Sequence, residues 1–392
     1  MTPWCKDSFR VCFRLLITVA TLVSVTAVLT ARGSICEPIG QQNIIVLLIQ
    51  NPGAPAPALT SADYYAGFFG PELSLSEYWR AASYGATWAR GEVRGWYTLD
   101  ATYECSNIDG IRAAAIRAAS DVDFTRYSRI FIVLAGFTNC SRGGRATMSC
   151  DPLITPAGIT FSASTAWILD RTYIRDELYL AAHEGGHNFG LMHAQGRRFK
   201  NTMLGAPGDL GTVEEYADPL SAMGASNLGP YAAPQKARLG WADVVNVTSS
   251  GSFTLASAET SPHFIRVRRG STDTQWLWLE YRPNAGILIH YEDETTEPRA
   301  TQLLDFTPDT PSWFDAPMPV GKSWTDSYTN TTIAVSSSFA GMVTVTVTYG
   351  RKKQFGLAKL PLRPLPSPSL WTRPGASTPT GTLTSPHTVD RK

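Results

Sequence analysis

The sequence predicts an α+β protein in two parts: a mixed sheet with helices packed on it, then a smaller β-sandwich-like region. Three observations carry this expectation. Up to Trp241, short apolar runs alternate with segments of helical periodicity. After Trp241 the pattern changes to short β-rich runs with turn residues between them. The chain has 392 residues, enough for one large domain or two ordinary ones with an ample core.

The first part reads element by element. "NIIVLLIQ" (43–50) is a buried strand closed by the loop "NPGAPAP". "SLSEYWRAASYGAT" opens on Ser74, which can cap a helix bearing Tyr78 and Trp79. "GEVRGWYTL" (91–99) alternates as a strand does, and "IDGIRAAAIRAASDVDF" (108–124) has helical spacing. "RIFIVLAGF" (129–137) is another buried strand, and "STAWILD" (164–170) is a short one. Residues 175–189 read as one helix. Strands alternating with helices in this way indicate a mixed sheet with helices packed on it. Beyond it, "GSFTLAS", "HFIRVRR", "TQWLWLEYR", "GILIHYED", "TTIAVSSS" and "MVTVTVTYG" supply the strands of a sandwich. The expected organisation is therefore 37–245 for the first domain and 246–350 for the second. A Pro-, Ser- and Thr-rich disordered tail follows at 359–392.

The amino end has another purpose. Lys6, Arg10 and Arg14 precede an apolar run at 15–31, so residues 1–31 read as a signal peptide with Ala27 or Ala31 before the cut. The alternative is an uncleaved membrane anchor. Both readings send the chain into the secretory route, towards the extracellular space or cell wall. Cys5 and Cys12 lie in this leader, which leaves Cys36, Cys105, Cys140 and Cys150. An even number in an oxidising compartment suggests two disulfides, and a local Cys140–Cys150 bridge is the first expectation. Sequons at Asn139, Asn246 and Asn330 are candidate glycosylation sites. A net charge of +1 with 17% charged residues gives no reason to invoke nucleic acid. The basic stretches "RRFK" (197–200) and "RKK" (351–353) are expected to be solvated surface.

The densest chemical signal is "AAHEGGHNFGLMHAQG" (181–196). Three of the chain's six histidines, His183, His187 and His193, fall within it. Residues four apart share one helix face, so His183 and His187 can aim two imidazoles at one ion. Glu184 lies to the side of that face, within reach of a water on the metal. Gly190 can end the helix sharply by taking positive φ, and the turn lets His193 return as third ligand. Three protein ligands with one open position make a hydrolytic zinc site. His263, His290 and His387 stand alone and read as surface or packed histidines.

The string H-E-x-x-H-x-x-G-x-x-H resembles the zinc-binding consensus of the metzincin metallopeptidases. That superfamily also has a methionine in a tight turn beneath the metal, and "DPLSAMGAS" puts Met223 thirty residues after His193. "HNFGLMHA", "EEYADPLSAMG", "YAAPQKARLGW" and "WLWLEYRPNAGILIHYED" are similar to the gametolysin family, whose known members include cell-wall-lytic enzymes of green algae. The resemblance implies a secreted zinc endopeptidase with one catalytic Zn2+. His183, His187 and His193 would be its ligands, Glu184 its general base, and Gly190 and Met223 its structural turns. It also implies Pro-rich cell-wall or matrix glycoproteins as substrates, and an extended substrate paired on the "STAWILD" strand. The competing class is a non-catalytic secreted protein that grips wall or matrix material on a peptidase scaffold. Two departures stand out. Gly185 replaces a bulky apolar residue, and paired mid-helix glycines are expected to loosen the site. Ala225 stands where some metzincins have a tyrosine, so tyrosine assistance from that place is not expected. Ca2+ near Glu214 and Asp218 is a candidate without a recognisable calcium loop.

Overall fold

The computed structural model describes residues 36–140, 143–170, 174–224, 228–337 and 339–350. The leader at 1–31, the tail at 359–392, "RKK", His387 and Ala225 lie outside the described residues.

The chain opens with strand β1 (Gly40–Gln50), helices α1 (Ser61–Phe69) and α2 (Leu75–Ala82), strand β2 (Thr87–Thr98) and helix α3 (Ile108–Ala118). Strands β3 (Arg129–Ala135), β4 (Gly144–Ala146), β5 (Asp151–Ile154) and β6 (Thr160–Leu169) follow, then helix α4 (Ile174–Asn188). Six strands form one mixed sheet in the order β2-β1-β3-β6-β4, with β5 also on β6. The β1–β2, β1–β3 and β3–β6 pairs are parallel, whereas β4 and β5 run antiparallel to β6. Side chains alternate across a pleated strand. Ile44, Val46 and Leu48 therefore enter a core with Phe68, Trp79 and Ala182 from α1, α2 and α4. Ile45, Leu47 and Ile49 enter the opposite core with Ile111 and Ala115 from α3. Both faces are covered, which is why β1 reads as a continuous apolar run.

Ser74 caps α2 as expected, accepting a hydrogen bond from Glu77 N. Helix α1 was not expected. Its cap is Thr60, with Asp63 returning the bond in a capping box, directly after the proline-rich loop.

One expectation about the first sheet needs correcting. The "STAWILD" strand is not an edge: β6 has β3 on one side and β4 and β5 on the other. On that side the edge is made by the short strands β4 and β5, of which β4 lies beside Ala166–Ile168.

The rest of the chain is mostly strand. A seven-stranded sheet has the order β8-β7-β14-β13-β12-β11-β9. Its members are β7 (Ala194–Arg198), β8 (Thr212–Glu214), β9 (Asp243–Val247), β11 (His263–Arg268), β12 (Gln275–Arg282), β13 (Gly286–Asp293) and β14 (Thr301–Leu304). A four-stranded sheet contains β10 (Gly251–Leu255), β15 (Ser323–Asp326), β16 (Thr331–Ser337) and β17 (Val343–Tyr349) in the order β10-β17-β16-β15. The two sheets share one core, in which Ile265, Leu277 and Ile289 meet Ile333, Val345 and Val347. This is the facing-sheet arrangement that the turn-rich strands predict. The expected boundary at 245 does not divide the sheets. Strand β9 straddles it, and β7, which directly follows His193, pairs in parallel with β14. The described residues accordingly form one compact unit.

Three further expectations change. The disulfides are Cys36–Cys150 and Cys105–Cys140, with Cα separations of 5.4 and 5.3 Å, and no local Cys140–Cys150 bridge forms. Cys150 lies beside Ser128 at the start of β3, where the first residues of the described chain pass, so its near partner in space is distant in sequence. "RRFK" is surface only at Lys200, with Arg198 half-buried and Phe199 in the core. Arg197 is buried and bonds to Gln302 Oε1 at 2.6 Å, the Leu210 carbonyl at 2.7 Å and the Glu297 carboxylate. The third concerns Glu214 and Asp218, the calcium candidates, whose carboxylates are committed elsewhere. Glu214 binds Arg198 and Trp313, and Asp218 binds His290.

Candidate metal centre

Helix α4 lies on the face of the sheet that carries Ala166 and Ile168, and it ends at Gly190. Gly190 has φ +88°, its N–H reaches the His187 carbonyl at 2.7 Å, and Leu191 N reaches the Gly186 carbonyl at 3.0 Å. This is the two-bond Schellman stop that a left-handed glycine permits. The reversed chain delivers His193 and enters β7, where Ala194 N bonds the Met223 carbonyl at 2.8 Å.

The expected ligands converge. His183, His187 and His193 each offer a nitrogen, and these atoms lie within 4.8 Å of one another. The Nε2 atoms of His187 and His193 are 3.0 Å apart. Every Nδ1 is held from behind: His183 on the Ala222 carbonyl at 2.8 Å, His187 on the Leu191 carbonyl at 2.8 Å, and His193 on Glu215 Oε1 at 2.5 Å. Such outer bonds fix the tautomer with the proton on Nδ1 and leave Nε2 as the donor atom. Glu215 is itself steadied by Gln195 Nε2 at 2.5 Å.

Electrostatics favour the ligand form. Burial drives the pKa of His183 down to about 3, with His187 adding to the effect. Burial likewise lowers His187 to about 4. Both imidazoles are neutral near pH 7, as metal binding requires. Three imidazole nitrogens suit Zn2+ and other borderline transition ions, whereas Ca2+ and Mg2+ take oxygen ligands. The cluster fits a metal ion of the former kind.

The glycines beside Glu184 make room. A Cβ on Gly185 would sit 2.6 Å from Trp79 Cζ2, and one on Gly186 would collide with Met223 Sδ. The expectation of a loosened helix therefore meets the reverse: the space is filled by Trp79 on one side and Met223 on the other. Trp79 Nε1 and Tyr231 OH are 3.3 Å apart, and Tyr231 OH donates to the Ala182 carbonyl at 2.6 Å. Met223 is fully buried beneath the helix, and the preceding residue, Ala222, receives His183.

Glu184 is buried and its carboxylate extends towards β4, where any side chain at Gly144 would collide with it. A cavity of about 370 Å³ collects Glu184, the three histidines, Gly144, Ala146, Met192 and Tyr216. Sequence reasoning missed Glu215 and Tyr216. The Tyr216 ring lies 3.9 Å from that of His193, on a backbone with φ +60°. No spacing rule links a residue to a ligand 22 positions earlier, so neither had a local signal.

The remaining site candidates lie elsewhere. Asn139 has φ +59°, Asn246 is exposed on β9, and Asn330 precedes β16. His263 is exposed and His290 is buried, as lone histidines are expected to be.

No protein-family model matches the chain, and no curated protein is significantly similar to it.

Proposed function

We propose that the protein is a secreted zinc-dependent endopeptidase of the metzincin kind, similar to the gametolysins. The observation that carries the reading is the convergence of three back-bonded imidazoles and one buried carboxylate in a single cavity beside an open strand edge. A zinc ion held by His183, His187 and His193 would act as a Lewis acid on a peptide carbonyl and acidify water.

The chain's own groups account for the rest. Glu184 reaches from α4 towards β4 and would take a proton from the attacking water and pass it to the leaving nitrogen. Strand β4 offers unpaired backbone groups to an extended polypeptide, and the small residues Gly144 and Ala146 keep that edge accessible. Glu215 and Gln195 hold His193, while Met223 and Trp79 fix the height of α4 beneath the cavity. The two disulfides suit an oxidising compartment. Among the described residues no helix is long and apolar enough to cross a membrane. The substrate class, Pro-rich wall or matrix glycoprotein, comes from the resemblance alone.

The test is hydrolysis of casein and gelatin by the purified protein. Activity should vanish with a chelator and return with stoichiometric Zn2+. A zinc-loaded protein that cleaves neither while binding wall glycoprotein tightly would favour the scaffold reading instead.

A further inference from the structure

A second, larger groove begins where the metal cavity ends. It has a volume of about 730 Å³, and Met148, just beyond β4, lines both spaces. The Gly190 turn forms part of its floor, facing the Met148 carbonyl 3.5 Å from where a Cβ would stand. The far wall comes from Arg238, the last residue of the short helix Ala233–Arg238, from Arg266, Trp278 and Glu292 of the seven-stranded sheet, and from Arg299 in the connection between β13 and β14. A polypeptide paired along β4 and continuing past Met148 therefore runs from the metal cavity into this groove.

The charge of the groove is specific. Glu292 is buried and both of its oxygens are used, by Arg238 Nη2 at 2.9 Å and Trp278 Nε1 at 2.6 Å. Arg266 is clamped: its guanidinium lies 4.2 Å over Trp276 and 5.4 Å over Trp278, Nε bonds Asn246 at 2.6 Å, and Nη1 bonds Glu294 at 2.8 Å. Arg299 is exposed at the rim, and its guanidinium has no carboxylate partner among the described residues. Cations exceed anions by one: Arg238 and Arg266 are paired with the groove's own Glu292 and Glu294, so the unbalanced positive charge is that of Arg299 at the rim. The chain's own C-terminal segment from 351 to 392 has eight basic residues and one acidic, so it does not complement the groove.

We infer that this groove is an extended substrate subsite that takes an acidic stretch of the same polypeptide being cleaved. The inference rests on the peptidase reading above. Arg299 and Arg266 determine specificity there and touch neither the scissile bond nor the metal ligands.

The experiment uses the full-length zinc-loaded protein and fluorogenic peptides sharing one cleavable core. One is the bare core. Others carry a four-glutamate or four-lysine extension on the amino-terminal or the carboxy-terminal side. One glutamate-extended peptide should show a KM well below that of its lysine counterpart. Arg299→Glu should raise that KM roughly fivefold, leaving kcat and the bare-core kinetics unchanged, as expected for a rim charge. Arg266→Gln, with its melting temperature checked, should act in the same direction. Equal KM values for glutamate and lysine extensions, or no response to Arg299→Glu, would overturn the subsite. If the protein cleaves no peptide at all, the peptidase reading falls and binding decides the groove separately. Anisotropy of the labelled glutamate-extended peptide should then still weaken with Arg299→Glu, and absence of binding would overturn the groove as well.

Discussion

The imidazole of His290 meets the carboxylate of Asp218 at 2.9 Å, with both side chains sealed from solvent. His290 is on β13, and Asp218 opens the turn that leads to Met223, so the bond ties the seven-stranded sheet to the segment that supports the histidine cluster. Arg282 on β12 adds bonds to the Leu220 and Pro230 carbonyls of the same segment. Burial alone would raise the Asp218 pKa, but the His290 hydrogen bond and its charge hold the net value below the ordinary carboxylate range. His290→Ala leaves a buried carboxylate without its partner, a change that costs about 3–5 kcal/mol. The variant should melt markedly lower and hold zinc more weakly. Calorimetry with metal titration checks both. Unchanged affinity in a folded His290→Ala protein would show that the turn is positioned without this bond.

The contact between Gly186 and Met223 makes a second prediction. Gly186→Ala drives a methyl group into Met223 Sδ, and overpacking of this kind costs about 1–3 kcal/mol. It should lower stability and zinc affinity even though alanine favours helix. Gly186→Ala combined with Met223→Ala should recover part of the loss relative to the sum of the single changes. Strict additivity in a double-mutant cycle would mean the two positions do not communicate.

Acid should act through the buried histidines of the cluster in the chelated protein. His183 and His187 have folded pKa values near 3 and 4, below the unfolded value of about 6.5. As pH falls from about 6.5 towards 4, the unfolded chain takes up protons that the folded chain refuses. The stability is fully present above about 6.5, declines through that window, and levels off below about 3. Melting temperatures of chelated protein from pH 7 to pH 4 should fall more steeply for the parent than for His187→Leu. Parallel slopes would contradict the burial of these imidazoles.

The disulfide pairing is open to direct mapping. Non-reducing digestion should release Cys36 linked to Cys150 and Cys105 linked to Cys140. The first closes a separation of 114 residues and the second one of 35. In the chain-entropy account, Cys150→Ser should therefore destabilise by about 1 kcal/mol more than Cys140→Ser. A Cys140–Cys150 linkage in the digest would refute the arrangement.

The strands and the histidine cluster that could be read from the sequence were those with a local signature. The β1 run, the Ser74 cap and the His183-to-His193 string each need only neighbours a few residues away. What could not be read depended on contacts far along the chain. Cys36 and Cys150 meet because β1 and β3 are adjacent, which no spacing encodes. Glu215 reaches His193 only after β7 has turned back. The boundary near 245 failed for a related reason: β7 is five residues long and polar in sequence, yet it pairs with β14 and draws both halves into one sheet. Gly185 and Gly186 read as weaknesses of a helix until Trp79 and Met223 were seen to occupy the space they leave.

The most direct test of the account is Glu184→Gln, assayed for bound zinc and for hydrolysis together. The amide keeps the size of the carboxylate and cannot accept a proton at neutral pH. General base catalysis typically contributes about 10²–10⁴-fold. The account predicts zinc occupancy equal to that of the parent, an unchanged fold, and casein hydrolysis lowered by at least about 10²-fold. Hydrolysis at the parental rate by the zinc-loaded variant would contradict it.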